Sequence, residues 1–244
     1  MIYQKILQSR NHARLFSLLI DPENHTRESL IRLVTEADRA PVDFILVGGS
    51  LLSQGLDRTI QTLKGHTSLP VILFPGSIMQ VSSHADGIFL LSLISGRNPE
   101  LLIGNHVLAS KMIRKSGLEV IPTGYLLIEG GSTSSVEYVS NTKPLPADKP
   151  ELISATALAG ELLGHRLIYL EAGSGASQSI FPEIIREIKQ HIQLPLVVGG
   201  GLKEPRDVHR VAQAGADMVV VGNALEADPS KIKDMTAVLR SPLQ

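Results

Sequence analysis

Short, continuously apolar runs alternate with amphipathic stretches along the 244-residue chain. Runs near Leu196–Gly199 and Met218–Val221 are apolar at almost every position, as expected of parallel strands buried on both faces. Stretches between the runs repeat apolar residues at the period of a helix, for example Ile180/Ile184/Ile188. The other predicted strands are Leu15–Ile20, Asp43–Val47, Val71–Phe74, Gly87–Leu91, Glu119–Ile128 and Leu167–Glu171. Eight βα units predict an α/β fold, a (β/α)8 TIM barrel forming one domain over residues 1–244. A doubly wound open sheet is the alternative.

Two segments depart from this alternation. Pro75–Asp86 is barely long enough for a crossover helix, so we expect the third helix of the barrel to be missing or replaced. Gly130–Pro150 is rich in Ser, Thr and Pro and follows the fifth strand. Loops of this length are usually lids or binding loops, although a surface insertion is the alternative.

Composition excludes several classes of function. The formal net charge of −1 gives no global field for nucleic acid or an anionic membrane. The absence of cysteine excludes disulfides, thiolate metal sites and a cysteine nucleophile. The sequence also lacks a secretory signal and an apolar run of the roughly 18 residues needed to span a membrane. We expect a cytoplasmic protein without a stable membrane anchor.

Glycine-rich turns follow the last three predicted strands. They are Gly173–Gly175, the GGGLK segment at Gly199–Lys203, and the VGNA segment at Val221–Ala224. Strand ends meet at one mouth of a barrel, and backbone N–H groups in such turns bind phosphate. The three turns predict one shared phosphate site, whereas tight turns without a ligand are the alternative. Glu171 precedes the first turn and could accept a proton from an alcohol, or pair with a neighbouring cation.

Further polar candidates lie at other strand ends. Asp21 and Ser50 offer the hard oxygen ligands that Mg²⁺ prefers, although Asp21 could instead cap a helix or an Asp-Pro turn. Arg97 precedes a largely apolar helix and could hold a diphosphate, or simply be solvated. The apolar residues of Leu101–Ile113 cover more than one helical face. They predict buried core, an oligomer interface or a groove for a long hydrocarbon.

Seven motifs recur along the chain in a recognisable order. They are LLIDPE at Leu18–Glu23, VGGS at Val47–Ser50, FPGS at Phe74–Ser77, SGRNP at Ser95–Pro99, YLEAGSGA at Tyr169–Ala176, VGGGL at Val198–Leu202 and VGNA at Val221–Ala224. In these motifs the chain resembles the geranylgeranylglyceryl phosphate synthases and their bacterial relatives, the heptaprenylglyceryl phosphate synthases. The segment Gly130–Pro150 is similar to that of the family group with longer loops.

The resemblance implies a barrel without its third helix and a prenyltransferase that joins a prenyl diphosphate to the 3-hydroxyl of sn-glycerol 1-phosphate. It implies Mg²⁺ at Asp21 and Ser50. Geranylgeranyl diphosphate is the favoured donor, a heptaprenyl donor is the alternative, and dimers or hexamers are expected. Glycerol phosphate is expected at Tyr169, Leu170, Glu171, Ala172, Gly173, Ser174, Gly175, Gly200, Gly201, Gly222 and Asn223.

Roles for the remaining candidates follow from this chemistry. Glu171 would act as the base, with Tyr169 as a second catalytic residue. Tyr125 and Tyr169 could stabilise positive charge on the allylic carbon, and Arg97 and Tyr125 are candidates for contact with the prenyl diphosphate.

Two other functions compete with this interpretation. A sugar-phosphate isomerase would need a second acid at the end of strand five, where the chain offers only the more distant Glu129. A non-catalytic phosphate-binding barrel would tolerate the loss of Glu171.

Overall fold

The protein, described here by a computed structural model covering residues 1–10, 12–53 and 55–240, contains a closed barrel of eight parallel strands. The strands follow one another around the barrel in chain order, and the last pairs with the first. This arrangement confirms the predicted TIM barrel and excludes the open sheet. The strands are β1 (Leu15–Ile20), β2 (Phe44–Val47), β3 (Val71–Leu73), β4 (Gly87–Leu93), β5 (Glu119–Leu127), β6 (Leu167–Glu171), β7 (Leu196–Gly199) and β8 (Met218–Val221).

Helices cover the outside of the barrel and also its amino-terminal end. Their starts follow ordinary capping chemistry: the Thr26 hydroxyl accepts from the Ser29 N–H, and Glu204 and Asp207 form a capping box. The helices are α1 (Ile2–Ser9), α2 (Arg27–Asp38), α3 (Asp57–Lys64), α4 (Asn105–Ser116), α5 (Ser135–Ser140), α6 (Pro150–Leu162), α7 (Pro182–His191), α8 (Pro205–Gln213), α9 (Asn223–Ala227) and α10 (Ile232–Arg240). None of those described is long and apolar enough to cross a membrane.

Alternating side chains of the strands build two apolar layers. Along β6, Tyr169 points into the barrel, whereas Ile168 and Leu170 pack outward against the helices. At the amino-terminal end, Tyr3 of α1 packs into the inner layer, and its N–H donates to the Glu119 carboxylate over 2.9 Å. Helix α1 therefore closes the floor of the barrel and leaves the opposite end for ligands.

No helix connects β3 to β4, as the short spacing predicts. The connection, residues 74–86, is an irregular segment that we call the strap. After it, β4 runs two residues further than predicted, to Leu93, and a π-helical turn at Glu100–Gly104 leads into α4. The space that a crossover helix would fill is therefore bordered by the strap, β4 and α4.

Strand register brings distant loops together at the carboxyl ends. Ile20 pairs with Val47, and Val47 pairs with Leu73, so the loops after β1, β2 and β3 are neighbours. Glu171 pairs with Gly199 on one side and with Leu127 on the other. The candidate residues that follow these strands therefore surround one mouth.

Candidate active site

A cavity of about 560 Å³ opens at the carboxyl ends of the strands and continues between the strap and α4. Its two ends differ in chemistry. The polar end is lined by Asp21, Asn24, Ser50, Glu171, Ser174, Lys203, Asn223 and Glu226. The other end is lined by Ile78, Val81, Ile88, Leu90, Leu91, Leu101, Ala109 and Ile113. A single cavity can thus hold an anionic group and a long apolar group at once.

Glu171 is the buried acid of the cavity, with only 6% of its surface exposed. Burial raises the pKa of Glu171 to about 7, although the Gly173 N–H, donating to its Oε1 over 2.7 Å, opposes this shift. A carboxyl group with this pKa can accept a proton near neutral pH. The Glu171 carboxylate fits because residue 200 is glycine. An added Cβ at Gly200 would collide with the carboxylate, and the residue has a φ of +82°.

Three aromatic rings form the wall beside this acid. The rings of Tyr125 and Tyr169 stack with centroids 5.5 Å apart, and Phe74 packs on Tyr169 at 4.9 Å. The Tyr169 hydroxyl lies near Glu171 and favours its ionised form, yet it makes no hydrogen bond of normal geometry to any described residue. Burial raises the pKa of both tyrosines well above its usual value, so both stay neutral. An electron-rich wall therefore faces the cavity.

The glycine turns after β6, β7 and β8 line the polar end together, as predicted. The Ala172 N–H donates to the Gly199 carbonyl over 3.1 Å, which joins the first two loops. The Ser174 hydroxyl donates to the Asn223 Oδ1 over 3.2 Å, which joins the first to the third. The cavity-lining residues of the three turns are Gly173, Ser174, Gly175, Gly200, Gly201, Leu202, Lys203, Val221, Gly222, Asn223 and Ala224.

Asp21 and Ser50 line the same polar end. The Asp21 Oδ1 accepts from the Glu23 N–H over 3.1 Å, so this residue does stabilise the Asp-Pro turn, while Thr26 caps α2. Burial raises the pKa of Asp21, against the hydrogen bond from Glu23. Gly49 lies so close to the carboxylate that an added Cβ would clash with it at 2.6 Å. The carboxylate thus faces the loop that carries Ser50.

Three predicted ligand residues do not line this cavity. Arg97 lies in a separate surface pocket with Lys143, and its guanidinium donates to the Gly96 carbonyl over 2.7 Å. Leu170 points outward because side chains alternate along β6, and Ala172 also packs in the outer layer.

Sequence reasoning missed several polar residues that line the cavity or hold its loops, among them Glu226, Gln80 and Lys203. Glu226 accepts from the Asp21 N–H over 2.7 Å and from Asn24 over 3.0 Å, which fixes the loop after β1. Gln80, in the strap, binds the loop after β2. Lys203 is the only lysine or arginine among the described residues that line the cavity. Its place in the GGGLK turn was visible in the sequence, but the other two lie in no recognisable motif.

The apolar surface of Leu101–Ile113 is divided between the cavity and the outside of the barrel. Leu101, Ala109 and Ile113 line the apolar end of the cavity, whereas Val107 and Leu108 are about two-thirds exposed on the other face. Helix α5 lies in the long Gly130–Pro150 segment and adds Val136 and Val139 to the cavity wall. That segment therefore contributes directly to the binding cavity.

Comparison with known proteins agrees with this geometry. The chain is 44% identical to geranylgeranylglyceryl phosphate synthase of Spirosoma linguale, with 93% of this chain and 92% of that protein covered. It is 41% identical to the synthase of Thermococcus gammatolerans, with 92% and 88% covered. The crystal structure of (S)-3-O-geranylgeranylglyceryl phosphate synthase from Thermoplasma acidophilum, in complex with its substrate sn-glycerol-1-phosphate, superposes with a TM-score of 0.94. That structure shares 32% identity and covers 99% of both chains. Residues 5–239 match the PcrB family, so the chain belongs to the PcrB family.

Proposed function

We propose that the protein is a geranylgeranylglyceryl phosphate synthase. It transfers the prenyl group of geranylgeranyl diphosphate to the 3-hydroxyl of sn-glycerol 1-phosphate. The observation that carries this proposal is one continuous cavity, with three glycine turns and the buried Glu171 at its polar end and apolar residues at its other end. The named relatives and the glycerol phosphate complex of the Thermoplasma enzyme support the same reaction.

The acceptor lies at the polar end in this proposal. The turns containing Gly173–Gly175, Gly200–Gly201 and Gly222–Asn223 hold its phosphate through backbone N–H groups. Glu171 accepts the proton of the 3-hydroxyl as the oxygen forms its bond to the allylic carbon of the donor. The bond between this carbon and the diphosphate oxygen breaks, and diphosphate leaves with its electron pair. Tyr125 and Tyr169 face the positive charge that develops on the allylic carbon.

Asp21 and Ser50 are the proposed Mg²⁺ ligands. The described residues contain no group of three or more His, Asp or Glu side chains with metal-binding spacing, but Mg²⁺ commonly uses one or two carboxylates together with phosphate oxygens. Three carboxylate side chains line the cavity, those of Asp21, Glu171 and Glu226, whereas Lys203 is the one lysine among the described lining residues. Binding two anionic substrates there therefore requires added positive charge. Mg²⁺ held by Asp21 would neutralise charge on the departing diphosphate.

The apolar end supports a long prenyl donor. Leu91, Ala109 and Ile113 border the part of the cavity between β4 and α4, where hydrocarbon would replace water. The relatives named geranylgeranylglyceryl phosphate synthase favour the C20 donor over the heptaprenyl alternative.

A decisive assay combines the protein with Mg²⁺, labelled sn-glycerol 1-phosphate and prenyl diphosphates of graded length, followed by product analysis. We expect a prenyl ether of glycerol phosphate, formed most efficiently from the C20 donor, with no turnover in excess chelator. No ether product from any donor would refute the proposed activity. The strongest product from the heptaprenyl donor would instead assign the longer-chain activity.

The alternative function, a sugar-phosphate isomerase, requires a second acid in the cavity at the end of β5. Glu129, beyond the end of β5, accepts from the Ala147 N–H over 3.2 Å and is not among the residues that line the cavity. A non-catalytic role is disfavoured by the buried acid at the phosphate end, since a passive anion site gains nothing from a carboxylate there.

We also propose that the chain forms a homo-oligomer. Ile103, Val107 and Leu108 on the outer side of the π-helical turn and α4, and Leu162 and Leu163 at the end of α6, are large exposed apolar residues. Such surface is unusual on a monomer and typical of interfaces between subunits. Light scattering after size-exclusion chromatography should give a dimer or hexamer, and a monomer would refute this.

A further inference from the structure

Gln80 is a buried polar residue in the strap, with only 2% of its surface exposed. It lies outside every motif identified in the sequence and faces the loops after β2 and β3. Burying an amide is unfavourable unless its oxygen and nitrogen both find partners. The partners of this side chain therefore indicate what its position stabilises.

The side-chain amide makes three hydrogen bonds to two loops. Its Oε1 accepts from the Gly49 N–H over 3.3 Å and from the Gly76 N–H over 3.1 Å. Its Nε2 donates to the Gly49 carbonyl over 2.6 Å. Gly49 is thus held through both its N–H and its carbonyl, by a side chain 31 residues away in the sequence.

The loop that Gln80 holds in place, the one after β2, carries Ser50 and faces Asp21. An added Cβ at Gly76 would meet the Gly49 carbonyl oxygen at 2.5 Å and the Ser50 Cα at 3.2 Å, so the two backbones are in close contact. An added Cβ at Gly49 would clash with the Asp21 carboxylate. Any movement of the Gly49 peptide therefore moves Ser50 relative to Asp21.

We propose that Gln80 is a positioning residue for the site of Mg²⁺ and the donor diphosphate, acting through Gly49 and Ser50. This inference rests on the proposed function, because that function assigns the metal to Asp21 and Ser50. The strap, which stands in place of a crossover helix, thus both leaves room for the donor chain and fixes the loop beside the donor's charged end. Outer hydrogen-bond partners of metal ligands typically contribute about 10–100-fold to metal affinity.

Glutamine is required chemically, because the position needs an acceptor for two N–H groups and a donor for one carbonyl. Gln80→Met keeps the length of the side chain but loses all three bonds. Gln80→Glu keeps the two acceptor contacts and places a carboxylate oxygen against the Gly49 carbonyl. Both variants should weaken the hold of residue 80 on the loop after β2.

The test measures binding rather than turnover. Calorimetry would follow inorganic diphosphate binding in the presence of MgCl₂ and, separately, sn-glycerol 1-phosphate binding without metal. We expect Gln80→Met to weaken Mg²⁺-dependent diphosphate binding about tenfold or more. Glycerol phosphate affinity should stay within about twofold, because its proposed loops follow β6, β7 and β8. Gln80→Glu should also lose Mg²⁺-dependent diphosphate binding selectively, and it serves if Gln80→Met does not fold.

Ser82→Ala is the matched control. Ser82 is also 2% exposed and lies in the strap, but among the described residues its hydroxyl makes only a local bond, accepted from the His84 N–H over 3.3 Å. This variant should bind both probes like the wild type. Unchanged diphosphate binding in the Gln80 variants, or equal loss of both probes, would overturn the inference. A wild-type protein that binds diphosphate equally with and without Mg²⁺ would instead refute the metal assignment, and the inference with it.

Discussion

Replacing Glu171 by glutamine should make the folded protein more stable at alkaline pH while it abolishes turnover. The unfolded chain releases the Glu171 proton near the ordinary pKa of 4.5, whereas burial holds the proton in the folded protein up to about pH 7. Between these values the folded state binds one more proton, so the free energy of unfolding falls as pH rises. A difference of about 2.5 in pKa corresponds to about 3 kcal/mol.

Glutamine does not titrate, so the variant escapes this loss. Urea unfolding followed by circular dichroism, from pH 5 to pH 8, should show the variant gaining about 2–3 kcal/mol relative to the wild type across the range. The diagnostic quantity is how the difference in unfolding free energy between variant and wild type changes from pH 5 to pH 8. Any cost of the substitution that does not depend on pH cancels in this comparison. Glu151→Gln, which removes an exposed carboxylate from α6, controls for the loss of one charge. A difference between Glu171→Gln and wild type that stays within about 0.5 kcal/mol from pH 5 to pH 8 would refute the reasoning.

Four further predictions concern activity. The kcat/KM for glycerol phosphate should rise through about pH 7 as Glu171 ionises, and a flat profile from pH 6 to 8.5 would argue against this base. Gly200→Ala should lower turnover about 100-fold in a barrel that remains folded by circular dichroism, because the Cβ would displace the Glu171 carboxylate. Glu226→Ala should raise the half-saturating Mg²⁺ concentration about 10–100-fold by releasing the Asp21 loop. Glu226→Gln, which keeps an acceptor for the Asp21 N–H, should have the smaller effect, and equal effects would contradict a role for this bond. Tyr125→Ala should lower turnover more than Tyr125→Phe, and no change in either variant would exclude the cation–π role.

The barrel and much of its mouth could be predicted because they depend on local patterns. Apolar runs such as Leu167–Leu170 identify strands, and β6 begins and ends where predicted. Residues that follow parallel strands must meet at one end of a barrel, so Asp21, Ser50 and Glu171 could be grouped before their distances were known. The short Pro75–Asp86 spacing likewise predicted that the third helix is missing or replaced, and the structure has no helix there.

The residues that escaped prediction depend on loop conformation and long-range pairing. Glu226 contacts Asp21 across 205 residues, and no local pattern links the two. Arg97 has the right chemistry for an anion, but the turn after β4 directs its guanidinium to its own loop carbonyls. Leu170 lies within a continuous motif of site residues, but strand alternation turns its side chain away from the cavity.

In the proposed reaction, the product joins the group held at the glycine turns to the group held at the apolar end, so we expect it to be held at both ends of the cavity. Binding of linked groups multiplies affinities, because one end stays held while the other detaches. The floor of the barrel is closed by α1, so the product must leave through the mouth or the gap beside the strap. Its hydrocarbon then meets water unless another apolar phase receives it, so lipid vesicles should speed release and raise the steady-state rate.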